Sequence, residues 1–360
     1  MRSQKVTMQT LADELKISRA TVSYVLAGQA RQKKIPPETE ARIREAAWKH
    51  RFVPNYWARS LARQDRSGVG LLFPDATMNA TQDIVAGIQS VLEKAREASP
   101  GTGTDGIATA HGSFLSITCW DAERERAELD ALLGKRIAGL ICLPGLANAA
   151  HYLALRKNRF PMVYVTDKLD GDDEYFVMID GADAVHKIFD HLESLGHRRI
   201  VVIGPDGASP TTEERYAAVR VRLERLGVAA SEGLVSGKTG QEETIFAAVD
   251  RVLGRPAERR PTAILGINDT VAYQIMHQVM SHGLTPGKEI SLAGIGDMQM
   301  SRYQMVSLTT VQERRYEFGR IAATLLLDQI NGAELGEGAA TGLRIKGELV
   351  VRRSSGAVPQ

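Results

Sequence analysis

The feature that most narrows the folds open to this chain is a change of pattern at Ser67. From there on, short apolar runs of strand length alternate with longer amphipathic stretches of helical period, the pattern of parallel sheets whose crossovers are helices. VGLLF (69–73), FLSITC (114–119), AGLICL (138–143) and MVYVT (162–166) read as four strands of a first lobe. YFVMID (175–180), RIVVIG (199–204), TAILGI (262–267) and SLAGIG (291–296) read as strands of a second. Helices are predicted over 81–97, 121–134, 183–195, 213–226, 242–253, 269–282 and 313–330. Two doubly wound lobes leave a cleft between them, and ligands of such sheets sit beyond the carboxyl ends of the strands.

The residues just after the strands are therefore the binding candidates: Asp75 with Asn79, Trp120, Asp167 beside Lys168, Asp180, Asn268 and Asp297, with Arg215 at the start of a second-lobe helix. Acceptors with one fixed cation suit a hydroxylated or mixed donor/acceptor small molecule, and Trp120 can stack on an apolar ring face. Each Asp or Asn in such a place can equally cap the following helix.

Residues 1–66 follow a different rule. They carry 14 Lys and Arg against 6 Asp and Glu, while the rest of the chain has 31 against 37, so a net charge of +2 hides a basic segment joined to an acidic body. Such asymmetry points to a polyanionic partner, nucleic acid foremost. Thr7 is predicted to cap a helix carrying Leu11, Ala12 and Leu15, and Ser18 a second carrying Val22, Val25 and Leu26, with Gly28 as its stop. Only Lys16 and Ile17 separate the two, which is the short connection of a helix-turn-helix. The second helix then presents Arg19, Ala20, Ser23 and Tyr24 opposite its buried stripe. Arg19 can bond two acceptors on a guanine edge, Ala20 can touch a thymine methyl, and Tyr24 can reach a base or phosphate. Hydroxyls of Thr7, Ser18, Thr21 and Ser23 can meet phosphates. The alternative is a generic helical hairpin with solvated polar residues.

A third helix is predicted from Pro37 to about His50, with Ile43, Ala46 and Ala47 facing the first two. Beyond Pro54, Asn55 can cap a short helix ending near Arg63. That piece is too short to be stable alone in water and is expected to order on a partner. Ala58, Leu61 and Ala62 share one face and Arg59 and Arg63 the other, as in a helix that wedges an apolar side chain between bases and anchors on phosphates.

Other classes find little support. No apolar run reaches the length of a membrane span and the first residues lack a secretory apolar stretch, so a cytoplasmic location is expected. Cys119 and Cys142 lie in apolar runs and read as buried hydrophobes rather than as disulfide or metal ligands. Gly101, Gly103 and Gly106 match G-x-G-x-x-G, but between a helix and a strand, the reverse of a dinucleotide fingerprint. GxSxG, HExxH and GxxxxGK[ST] are missing, and the histidines are scattered, so no catalytic residue, metal or cofactor is assigned. An enzyme of the Rossmann type lacks a valid cofactor loop here. A small-molecule binding protein without a DNA role would leave residues 1–66 unexplained.

TMQTLADELKISRATVSYVLAG, PPETEARIREAA and FVPNYWARSLAR together resemble the DNA-binding headpiece and hinge helix of the lactose/purine repressor (LacI/GalR) family. By that likeness Arg19, Ala20 and Tyr24 fall where the family reads bases, and Leu61 where it inserts a leucine into the minor groove. One departure is Pro36, where the family usually has a serine or threonine cap. VGLLFPD, GHRRIVVIG, ERYAAV, PTAILGINDTVAYQIM, ISLAGIGD, SLTTV and ELVVRRS resemble the family's effector-binding region, which is similar to periplasmic sugar-binding proteins. The resemblance implies that Asp75, Asp167, Asp180, Arg215, Asn268 and Asp297 line an effector pocket. Gly181 and Gly296 depart from the family, standing where it commonly has asparagine and an acidic residue. The implied organisation is a headpiece over 1–53, a hinge over 54–66, and an effector-binding and dimerisation region over 67–360. Within that region the N-lobe would take about 67–167 and 311–338, and the C-lobe about 168–310 and 339–354. The implied function is a repressor that binds near-palindromic double-stranded operator DNA as a homodimer under control of a small-molecule effector, a sugar, nucleoside or related metabolite.

Overall fold

The computed structural model describes residues 7–26, 30–50, 52, 68–75, 79–98, 112–169, 175–206, 209–238, 241–303, 305–332 and 342–358. The N-terminal part folds as α1 (Met8–Leu15), α2 (Arg19–Leu26) and α3 (Pro37–Lys49) around a core of its own, built from Leu11, Ala12, Val22, Val25, Ala30, Ile43, Ala46 and Ala47. Both expected caps form. Thr10 N donates to Thr7 Oγ1 at 3.2 Å, and Thr7 N returns a bond to Thr10 Oγ1 at 3.3 Å, a reciprocal box that satisfies two otherwise orphaned donors. Lys16 ends α1 in the left-handed conformation at φ 55°, and Ser18 Oγ starts α2 by accepting from Thr21 N at 3.0 Å. Pro36 gives α3 no side-chain cap, consistent with the departure noted in the sequence, and Pro37 with Glu38 and Glu40 supplies the start instead. Gly28 and the hinge residues Asn55, Arg59, Leu61 and Arg63 lie outside the described residues.

The body begins with β1 (Val69–Phe73), α4 (Asn79–Ala98), β2 (Ser113–Ile117), α5 (Ala122–Gly134), β3 (Gly139–Cys142), α6 (Ala149–Lys157), β4 (Met162–Val165) and β5 (Phe176–Ile179). It continues with α7 (Gly181–Ser194), β6 (Ile200–Pro205), α8 (Pro210–Arg225), α9 (Ala230–Gly233), β7 (Leu234–Gly237), α10 (Glu242–Leu253), β8 (Ala263–Gly266) and α11 (Asp269–Ser281). The last elements are β9 (Ser291–Gly296), α12 (Met300–Tyr303), β10 (Thr309–Gln312), α13 (Arg315–Ile330), β11 (Gly342–Ile345) and β12 (Glu348–Val350). One sheet has the order β11-β5-β4-β3-β1-β2, the other β12-β10-β9-β8-β6-β7, and every pairing is parallel except β10 with β12. Both faces of each sheet are covered, which explains why the strands are continuously apolar rather than alternating. In β1, Leu71 and Phe73 pack with Ile84 and Ile88 of α4, while Leu72 joins Leu129 and Leu132 of α5 on the opposite face.

The strand at 175–180, expected in the second lobe, is a correction: β5 pairs with β4 and β11 in the first sheet. An apolar run encodes a buried strand but not its sheet, which depends on crossovers distant in sequence. The chain changes lobe at Asp180, at 313–314 between β10 and α13, and at 346–347 between β11 and β12, later than the borders implied near 167, 310 and 338. Helix α6 carried no sequence expectation. Cys142 is buried as expected, but Cys119 is exposed, because the strand ends at Ile117 and Cys119 and Trp120 form a left-handed turn at φ 56° and 60°.

Helices α4 and α13 approach so closely that each needs a glycine. A Cβ on Gly87 would lie 2.0 Å from the Tyr316 carbonyl oxygen, and one on Gly319 would lie 2.0 Å from that of Ile84.

Candidate functional site

Two surfaces gather the candidate residues. On the headpiece, α2 packs Val22 and Val25 inward, so the 3.6-residue period turns Arg19, Ala20 and Tyr24 outward, with Ser23 half-buried between. Lys33, which sequence reasoning passed over, brings its ammonium 5.1 Å from the Tyr24 ring centroid and adds positive charge to this face. The hydroxyls of Ser18 and Thr21 bond each other at 2.8 Å, as do those of Thr7 and Thr10 at 3.0 Å, all of them at the helix starts. Trp48 on α3 is 83% exposed, an outlay of apolar surface that the sequence did not signal.

The second group lies just beyond the carboxyl ends of strands of both sheets, where the sequence places a cleft. Here the candidates divide. Asp180 and Asn268 serve as N-caps, Asp180 accepting from Asp183 N at 2.9 Å and Asn268 from Val271 N at 2.9 Å. Asp167, after β4, accepts from the Thr211 hydroxyl at 2.9 Å and the Thr211 amide at 3.2 Å. The same hydroxyl lies 2.8 Å from the Thr166 carbonyl, so the first turn of α8 is held to the first lobe. Arg344 of β11 pairs with Glu214 of α8 across the same gap. Asp75 is half-buried at the end of β1; Trp120 is 71% exposed beside Asp121, which caps α5. Asn79 opens α4, and its side chain lies outside the description.

Asp297, left-handed at φ 49°, is buried and bound to Arg352 at 2.6 Å, to Gln312 at 3.1 Å and to Arg302 at 3.4 Å. Arg215 is buried and donates to Glu313 at 2.6 Å and to the Ile267 carbonyl at 3.0 Å. Glu313 and Arg315 were missed. The other oxygen of Glu313 meets Arg315 at 2.6 Å, and Arg315 reaches the Gly296 carbonyl at 2.9 Å. Burial pushes the Glu313 carboxyl up, but Arg315 and Arg215 outweigh it and hold the group below its usual range. Asp269 stands beside Asn268 among the residues that follow the strands. It accepts from Ser301 and Thr310 hydroxyls at 2.6 Å each and from Met298 N at 2.9 Å, while its burial pushes the carboxyl up. The available signal was a Glu between a strand and an Arg pair, QERR, which reads as an ordinary solvated helix start.

No His, Cys, Asp or Glu cluster able to hold a metal occurs among the described residues, and no helix among them is long and apolar enough to cross a membrane.

Comparison with known proteins agrees with the architecture. The family described as periplasmic binding protein-like domain matches residues 189–355. The chain is 26% identical over 332 residues to the probable HTH-type transcriptional regulator EndR of Paenibacillus polymyxa, covering 91% of this chain and 92% of that one. It is 25% identical over 355 residues to the HTH-type transcriptional repressor CytR of Escherichia coli K12, covering 98% and 97%. Among solved structures, a lac repressor dimer bound to operator and an anti-inducer superposes with a TM-score of 0.79 at 22% identity, over 98% of this chain and all of the other. Residues 189–355 thus carry a periplasmic binding protein-like domain, and along nearly its whole length the chain is similar to HTH-type transcriptional regulators and repressors and shares the fold of the lac repressor.

Proposed function

We propose that the protein is a ligand-responsive transcriptional regulator, a repressor, that binds near-palindromic duplex operator DNA as a homodimer in the cytoplasm and acts by binding rather than catalysis. The observation that carries this reading is the outward face of α2, where Arg19, Ala20 and Tyr24 stand clear of the core on a basic headpiece. Arg19 reads a guanine, Ala20 touches a thymine methyl, and Tyr24 with Thr7, Ser18, Thr21 and Ser23 contacts the backbone and neighbouring bases. Asn55, Arg59, Leu61 and Arg63 form the hinge element, with Leu61 as the wedge. A headpiece of this size covers half a site, so two copies read the operator.

A small molecule, sugar, nucleoside or related metabolite, enters the cleft among Asp75, Asn79, Trp120, Asp167, Asp180, Arg215, Asn268 and Asp297. Its binding changes lobe closure and so the pairing of the headpieces, because it shifts the population toward the lobe arrangement it contacts better. The names of CytR and EndR support the regulator reading, as does the operator-bound lac repressor. The test is selection of bound sites from a random-sequence duplex library with the full chain. Enrichment of a two-fold-symmetric site is expected; no enrichment, with or without added metabolites, overturns the proposal.

A further inference from the structure

We infer that Glu313 makes the cleft selective against anions, so that it is a specificity-determining residue and the ligand is an uncharged, oxygen-rich molecule. This deepens the proposed function and rests on its assignment of the cleft as the ligand site.

Where β8, β9 and β10 end, at the place proposed for the ligand, two guanidinium groups meet, Arg215 from α8 and Arg315 at the start of α13. Left to themselves, two buried planar forks would trap a phosphate or carboxylate by paired hydrogen bonds. Glu313 already occupies that role. One of its oxygens takes Arg215 and the other Arg315, each at 2.6 Å, and none of the three side chains is more than 10% exposed. The opposite ends of both forks are spent on the Ile267 and Gly296 carbonyls.

The other cations nearby are engaged as well. Arg352 lies on Asp297 at 2.6 Å, Arg302 on the same carboxylate at 3.4 Å, and the Lys168 ammonium lies 5.1 Å from the Phe176 ring centroid. An incoming anion must therefore expel a buried carboxylate that has no solvent to receive it, and a buried charge stripped of its partner is costly. A neutral ligand needs no such exchange. Arg215 Nε, a donor, is buried without a partner. A hydroxyl, ether or carbonyl oxygen satisfies it without carrying charge. Gly181 permits this placement: a Cβ there would lie 3.1 Å from Arg215 Cγ, so the guanidinium folds toward Glu313 across a bare backbone.

The test is calorimetric titration of the full-length protein with inorganic phosphate and with ribose 5-phosphate. Wild type is expected to bind neither measurably. Glu313→Gln is expected to gain at least about ten-fold in affinity for both, since the freed forks then meet an external anion. Should Glu313→Gln fail to fold, the double variant Glu313→Gln/Arg315→Gln removes one charge of each sign and leaves Arg215 as a single fork, and it is expected to show a smaller gain in the same direction. The inference is overturned if wild type binds either anion in a manner that Arg215→Gln abolishes, or if a folded variant gains nothing; the wild-type titration decides alone if neither variant folds. Site selection on duplex DNA, run on the same preparation, judges the regulator reading separately, because it does not depend on which charges the cleft accepts.

Discussion

The headpiece and the cleft handle polar side chains in opposite ways. In the headpiece, packing consumes Leu11, Val22 and Ile43 and leaves Arg19, Ala20 and Tyr24 outside, so the surface offered to a partner is whatever the small core does not use. In the cleft the polar groups are themselves the structure: Asp180 and Asn268 cap helices, Asp297 binds Arg352, and Arg215 binds Glu313. A site of the first kind recognises by addition, since nothing must break before a groove is met. A site of the second kind, on the reading proposed above, selects through its internal bonds, admitting a ligand that leaves them standing and excluding one that must expel a partner.

Four substitutions and one titration separate these modes, the largest effect first. Leu11→Ala removes a fully buried side chain from a core of few residues and should cost about 2–5 kcal/mol, abolishing headpiece order while the body melts as before; calorimetry should show the loss confined to the smaller unit. If the body melts earlier too, the two cores are not independent. Arg19→Ala should cost roughly 1–3 kcal/mol at one base-pair position and leave the rest of the preferred site intact, read by comparing selected site profiles. Thr211→Val deletes the hydroxyl that ties α8 to Thr166 and Asp167 and should lower body stability by about 1–2 kcal/mol, seen as a shift of the denaturant midpoint, with no effect on the headpiece. Ser18→Ala should weaken α2 by about 1 kcal/mol through loss of its cap, and headpiece melting would register it.

The titration tests the body alone. His197 is buried among Thr262 Oγ1 at 2.9 Å, Ser291 Oγ at 2.9 Å and the Gly356 carbonyl at 3.0 Å, and burial holds its imidazole below the ordinary value of 6.5. A depressed value means that the unfolded chain takes the proton first. The contribution is therefore complete above about pH 6.5 and lost as pH falls through the folded value. The body midpoint should decline on acidification from pH 7 toward 5, and His197→Asn should flatten that slope; an unchanged slope would place its origin elsewhere.

How much of this was readable in advance follows from the range of the interactions involved. Caps act over three residues, so Thr7 and Ser18 announce their helices, and the period of Val22 and Val25 fixes which side chains of α2 face out. Parallel strands buried on both faces announce themselves by unbroken apolar runs. Their sheet does not, because the membership of Phe176–Ile179 is decided by partners at 162–165 and 342–345. At the strand ends, position was legible and the roles of the residues were not. Ends of strands could be located, yet whether Asp180 caps a helix or faces a ligand depends on a donor three residues on. Glu313 stayed hidden because its partners are 98 residues away in Arg215 and two residues away in Arg315, a combination no local pattern carries.

The glycine contacts between α4 and α13 have a mechanical meaning. With a carbonyl oxygen lodged against Gly87 and another against Gly319, neither helix can slip along the other, since one step of register would drive a side chain into backbone. The contact locks the two helices in one register. The first residue of α13, Arg315, is paired with Glu313, and α4 follows β1, the first strand after the headpiece. The locked pair therefore runs along one face of the first sheet, from the carboxyl ends of its strands, where both helices start, toward their amino ends.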